Sequence, residues 1–102
     1  MSKKLKLKII TPEKLVYEEF VDQVSVPTEL GEITVLPNHI PLITKISSGD
    51  IVGCISNECI PFAVVGGFLE VKQDEEGITI VAVLADFAEH VSELSDNKIA
   101  EA

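Results

Sequence analysis

The sequence predicts an all-β domain, an antiparallel sandwich or barrel, on three observations. Apolar residues recur with a period of two almost throughout, turn-forming residues interrupt that pattern at close and regular spacing, and no run as far as Leu84 carries the 3.6-residue period of a helix. Lys4-Leu5-Lys6-Leu7-Lys8-Ile9 alternates without an error, with leucines for a core and lysines for water. Pro12 drives Thr11 towards extended or turn geometry and ends that run. Leu15 to Val21 forms a second strand and Gln23 to Val26 a third, stopped by Pro27. Short runs follow at Glu32 to Leu36, Leu42 to Lys45, Ile51 to Ile55, Ile60 to Val65, Phe68 to Lys72 and Ile78 to Leu84. Their separators are Leu30-Gly31, Pro37-Asn38, Ser47-Ser48-Gly49, Ser56-Asn57, Gly66-Gly67 and Asp74 to Gly77. Gly66-Gly67 lacks the spacing and the following helix of a phosphate loop, so it reads as a tight turn or bulge that needs positive φ. No helix interrupts the strands, which excludes βαβ folds. After Leu84 the alternation is lost, and Asp86 to Ala102, with Ser95 as an N-cap, reads as the beginning of a helix.

The chain of 102 residues is one domain, and surface scaling buries roughly 65% of such a chain, enough for a single core without staples. Eight lysines against 17 acidic residues give a net charge of −9, which argues against nucleic-acid binding. With no arginine there is no bidentate fork for phosphate and no arginine finger. Four Phe, one Tyr and no Trp make a base-stacking platform a poor fit. No stretch approaches the ~18–20 apolar residues of a membrane span. Met1-Ser2-Lys3-Lys4 runs into alternating Lys and Leu rather than an apolar signal core, so a bacterial cytoplasmic location is expected. Cys54 and Cys59 are too few for a structural zinc site or a disulfide framework. If Ser56-Asn57 is a two-residue hairpin loop, the two cysteines oppose each other at a non-hydrogen-bonded position, within reach of a disulfide. The expected compartment argues instead for two free thiols.

The most unusual stretch runs from Gly31 to Leu42, where Pro37 and Pro41 bracket Asn38, His39 and Ile40. Each proline biases the residue before it away from helix, so the loop is stiff and presents Asn38 and His39 at a fixed place. Such a histidine serves as a catalytic base, a metal ligand, a docking point or a plain backbone-bonded turn residue. Catalysis needs a partner and a pocket, yet the other histidine, His90, lies outside the predicted strands. The acidic pairs Glu18-Glu19 and Glu75-Glu76 read as solvated faces, and no Asp/Glu spacing forms a calcium loop. No catalytic, metal or cofactor site emerges. The residues favour an acidic β-domain with one rigid His-Pro loop, an interaction module, because binding sits on loops held by stiff scaffolds.

In their order these features resemble the epsilon subunit of the F-type, proton-translocating ATP synthase. The resemblance rests on Thr11-Pro12-Glu13 with Leu15-Val16-Tyr17, and on Gly31-Glu32 through Leu36-Pro37-Asn38-His39-Ile40-Pro41-Leu42. Gly49-Asp50-Ile51, Phe62 to Val71 with its Gly66-Gly67-Phe68, and Ile80 to Ala88 with its Leu84-Ala85-Asp86 complete it. The family more usually has glycine at the Asn38 place. The resemblance implies a flattened antiparallel β-sandwich of about ten short strands over residues 1–86. It implies that residues 87–102 are a linker and the beginning of a helical C-terminal arm whose second helix is absent. It further implies a non-catalytic central-stalk subunit without cofactor, monomeric when isolated, which binds the gamma subunit and the c-ring and helps couple ion flow to ATP synthesis. The residues it implies at the gamma-subunit and c-ring contacts are Glu32, Pro37, Asn38, His39 and Pro41, with Glu32 near the c-ring and His39 by the gamma subunit. Some relatives bind ATP through an Ile/Leu-Asp-x-x-Arg-Ala motif; here Leu94-Ser95-Asp96-Asn97-Lys98-Ile99 replaces carboxylate, guanidinium and small residue, so no ATP binding is expected. The competing readings are a stand-alone sandwich for a small ligand or carbohydrate, which needs an aromatic-lined cleft, and an enzyme built on His39.

Overall fold

A computed structural model describes residues 4–91 as ten strands. These are β1 (Leu5–Ile10), β2 (Leu15–Val21), β3 (Gln23–Thr28), β4 (Gly31–Val35), β5 (Leu42–Lys45), β6 (Gly49–Ile55), β7 (Glu58–Val65), β8 (Phe68–Gln73), β9 (Thr79–Leu84) and β10 (Phe87–His90). They form two five-stranded sheets, ordered β2-β1-β9-β8-β5 and β10-β7-β6-β3-β4. The sandwich is therefore the outcome between the two predicted architectures. Its ladders are antiparallel except β1–β9, where Lys6 to Ile10 runs parallel to Ile80 to Leu84. Seven strands, β2 to β8, intervene between β1 and β9, so no hairpin forces that pair to be antiparallel.

The alternation read in β1 is the burial pattern observed: Leu5, Leu7 and Ile9 are fully buried while Lys6 and Lys8 are half-buried. Val24 and Val26 of β3, Ile51 of β6, Phe62 and Val64 of β7, Leu69 and Val71 of β8, and Val81 and Val83 of β9 meet them between the sheets. Each such side chain contributes about 1.5–3 kcal/mol by leaving water. Tyr17 packs against Phe62 with ring centroids 4.8 Å apart and planes tilted by 52°, and burial, helped by Glu19, raises its phenol pKa. Gly66 and Gly67 have φ of 65° and 110°, and a Cβ on Gly67 would overlap the Leu84 carbonyl oxygen. The Gly67 carbonyl accepts from the Ile46 amide at 3.0 Å, so this turn also tethers the end of β5.

Two expectations need correction. The sandwich does not end at residue 86, because Phe87–His90 pairs with β7 as a tenth strand, from Phe87 opposite Val65 to His90 opposite Phe62. Four residues with Ala88 as the inward contact are too few to display a period. The helix start read at Ser95 and the stretch from Leu94 to Ile99 lie outside the described residues. Nor are the cysteines free thiols: Cys54 and Cys59 are joined, S–S 2.06 Å and Cα–Cα 4.0 Å. Ile55 opposite Glu58 closes the two-residue loop and leaves the cysteines directly opposed. That adjacency brings the two sulfurs within bonding reach.

Asp22, between β2 and β3, fastens the tip of the β6–β7 hairpin. Its Oδ2 accepts from the Ser56 amide at 2.6 Å, its own amide donates to the Cys54 carbonyl at 2.8 Å, and Lys4 Nζ donates to Oδ1 at 2.7 Å. Lys4 first, and the Ser56 amide second, lower the Asp22 pKa below its ordinary value. Because the folded state binds this proton less readily than the unfolded chain, the stabilisation is complete above the ordinary carboxylate range and disappears as pH falls through the lowered value. In urea titrations the native chain should lose stability between about pH 5 and pH 2 more steeply than Asp22→Asn, which keeps an acceptor for Ser56 but no charge for Lys4. Parallel pH profiles would contradict this role for Asp22.

Candidate functional site

The loop from β4 to β5 begins with a turn whose chemistry the residues dictate. The His39 amide donates to the Leu36 carbonyl at 3.1 Å, closing Leu36-Pro37-Asn38-His39, and Asn38 has φ of 72°. Proline at the second position and positive φ at the third define a type II turn. After glycine, asparagine is among the side chains that tolerate that conformation best, which explains how Asn38 stands where glycine is more usual. The Asn38 amide donates to Thr79 Oγ1 at 2.7 Å. Thr79 is 2% exposed at the start of β9, in the opposite sheet, so one hydrogen bond locks the turn across the sandwich. His39 Nδ1 lies 2.7 Å from the Ile40 carbonyl oxygen. A carbonyl only accepts, so Nδ1 carries the hydrogen and Nε2 is the ring's remaining hydrogen-bonding atom.

Glu32 lies on β4 and Pro41 adjoins β5, the strands that end the two sheets, while Pro37 and Asn38 sit over the strand ends, where the Asn38 amide reaches Thr79 on the central strand β9. Glu32, Asn38 and Pro41 are exposed, and Pro37 and His39 are half-buried. They do not form one cluster. Glu32 sits opposite Pro27 near the start of β4, and the turn begins about 13 Å along the strand. Sequence reasoning missed the apolar residues beside them: Leu30 is 92% exposed, Ile40 74% and Ile43 70%. The β3–β4 turn that carries Leu30 packs beside the end of β5, with the Glu29 amide donating to the Lys45 carbonyl at 3.3 Å. The signal available was a bulky aliphatic residue at a turn tip and another between two prolines, where no core position could be assigned.

This edge can dock a protein, and nothing assembles a reaction on it. The His39 ring bonds a backbone carbonyl rather than a carboxylate. Among the described residues no group of three or more His, Cys, Asp or Glu could hold a metal. A cleft of about 320 Å³ adjoins the turn, with Pro37, Asn38 and Thr79 in its wall, and a groove of about 400 Å³ lies between Thr11–Lys14 and Asp86–Glu89. Neither contains His39, and each has a single aromatic, Phe20 or Phe87, too little for a carbohydrate cleft. By denaturant unfolding, Asn38→Gly should leave stability within about 0.5 kcal/mol, whereas Asn38→Ala should cost about 1 kcal/mol for positive φ. Thr79→Val should cost about 1–2 kcal/mol by stranding the Asn38 amide.

Comparison with known proteins identifies the sandwich's family. The family described as ATP synthase, Delta/Epsilon chain, beta-sandwich domain matches residues 4–91. An ATP synthase epsilon chain of Dehalococcoides mccartyi is 42% identical over 99 residues, covering 97% of this chain and 67% of the relative. One from Carboxydothermus hydrogenoformans is 42% identical over 94 residues, covering 92% and 66%. The chain thus spans about two thirds of the length of these relatives. A chain in the cryo-EM structure of the Euglena gracilis mitochondrial ATP synthase, OSCP/F1/c-ring, superposes with a TM-score of 0.77 at 18% identity, covering 99% of this chain and 62% of that one. A chain of the Tetrahymena thermophila mitochondrial ATP synthase central stalk and c-ring gives a TM-score of 0.59 at 17% identity, covering 82% and 66%. At such identities the structural likeness carries the fold, while the family match extends over every strand from Leu5 to His90. This chain belongs to the delta/epsilon chain family of ATP synthase and comprises its β-sandwich domain.

Proposed function

We propose that the chain is a non-catalytic element of the central stalk of an F-type ATP synthase, docking the gamma subunit and the c-ring and helping couple ion translocation to rotary ATP synthesis. The observation that carries this reading is the exposed, locked loop: a type II turn that follows β4 of one sheet and is hydrogen-bonded to β9 of the other, flanked by bare aliphatic side chains. A rotor contact transmits torque only if it does not yield under load. A proline-bracketed turn that continues from one sheet and is bonded to the other meets that requirement. The relatives named epsilon chain, and the central-stalk and c-ring assemblies in which similar folds occur, support the choice of partners. In this reading His39, Pro37, Asn38 and Pro41 meet gamma while Glu32, at the other end of β4, meets the c-ring. Covering Ile40 and Ile43 removes apolar surface from water and adds about 1.5–3 kcal/mol each. No helix among the described residues is long and apolar enough to cross a membrane. The proposal holds the chain peripherally, on the cytoplasmic face of a bacterial inner membrane, through its protein partners.

Capture of purified gamma subunit, with and without the c-ring, tests the assignment. His39→Ala and Ile40→Asp should each weaken gamma capture about tenfold, the loss expected for a central contact residue. Glu32→Lys should weaken recruitment to the c-ring while gamma capture by itself persists. Undiminished capture by all three variants would contradict the assignment of this edge.

A further inference from the structure

The Cys54–Cys59 bond is unused by the partner-binding edge, and its setting points to a chemistry of its own. It joins β6 to β7 on the solvent side of their sheet. The neighbouring core residues Ile51, Phe62 and Val64 and the inward Gly53 point the other way. Cys59 is exposed and Cys54 half-buried. The bond encloses only Ile55 to Glu58, and so short a loop constrains the unfolded chain least. The hairpin tip also has independent fastenings. Ile55 pairs with Glu58, the Ser56 amide donates to Asp22 Oδ2 at 2.6 Å, and the Cys54 carbonyl accepts from the Asp22 amide at 2.8 Å.

We propose that Cys54 and Cys59 form a reversible thiol-exchange site, opened by a dithiol reductant while the sandwich stays folded. A thiolate of the reductant attacks Cys59 Sγ, the more accessible sulfur. A mixed disulfide forms, the bond to Cys54 breaks, and Cys54 leaves as a thiolate that takes a proton. The second thiolate of the reductant then attacks its own sulfur in the mixed disulfide, closes the reductant's disulfide and releases Cys59. Two electrons pass from reductant to protein, and the two protons of the dithiol end on the two cysteines. Opening the bond removes no core contact and no fastening of Asp22. The proposed cytoplasmic site supplies the reducing thiol pool, where a protein disulfide is characteristically transient or redox-sensing. The chemistry itself needs neither gamma nor the c-ring.

The test uses the full chain without denaturant. Dithiothreitol should expose two alkylatable thiols per chain, at a rate within about threefold of that for the urea-unfolded chain. The far-ultraviolet circular dichroism and the amide-exchange protection of β6 and β7 should stay unchanged, and oxidised glutathione should restore the bond. Cys54→Ser treated with oxidised glutathione should carry one adduct on Cys59, forming about tenfold faster than the adduct on Cys54 in Cys59→Ser. The doubly substituted chain (C54S with C59S) should fold. Thiols that appear only in urea, loss of sheet structure on reduction, or a double variant that fails to fold would each overturn the proposal.

Discussion

The rigidity of the β4–β5 loop, the proposed partner-binding surface, depends on one hydrogen bond, from the Asn38 amide to the Thr79 hydroxyl at 2.7 Å. Proline rings restrict φ within the β4–β5 loop, but they do not hold the loop to the body of the protein. Thr79 does, because it is buried at the start of β9 in the sheet opposite β4. The bond also satisfies a backbone donor that positive φ turns away from any strand ladder. Local stiffness and global anchoring therefore meet at one residue. That is why an asparagine with φ of 72° is sustained there.

Edge strands are ordinarily a liability, and this sandwich has four of them. The two on the β4/β5 side are short; Ile43 on β5, Leu30 in the turn before β4 and Ile40 in the loop before β5 all stand in solvent. Elsewhere the exposed face carries charged side chains and ion pairs, such as Lys6 with Glu18 at 2.9 Å between β1 and β2, rather than bare aliphatic groups. Aliphatic side chains left bare beside a rigid turn fit a surface that is covered in the working complex. A stiff edge also requires little ordering when a partner binds, so more of the contact energy appears as affinity.

Much of this was legible in the sequence, for identifiable reasons. The error-free alternation of Lys4 to Ile9 specifies which face is buried, and a slip of one residue would expose every leucine. The prolines at 37 and 41 announce the turn, since each acts on its immediate neighbour. Thr79 could not be read as its anchor, because the two lie 41 positions apart and only the sandwich brings them together. Strand β10 was too short to show a period. Leu30, Ile40 and Ile43 counted as generic apolar residues until burial distinguished them from the core. The opposition of Cys54 and Cys59 was readable from a two-residue loop, whereas the bond between them was not, because chain geometry and compartment pointed in opposite directions.

Amide hydrogen exchange at Asn38 and His39 in the isolated chain tests the central claim most directly. Both amides are donors in the locked turn, so they should exchange at least ~100-fold more slowly than in an unstructured peptide, and Thr79→Val should release Asn38 selectively. Exchange at peptide rates in the native chain would mean a yielding loop and would contradict a mechanical role for this edge.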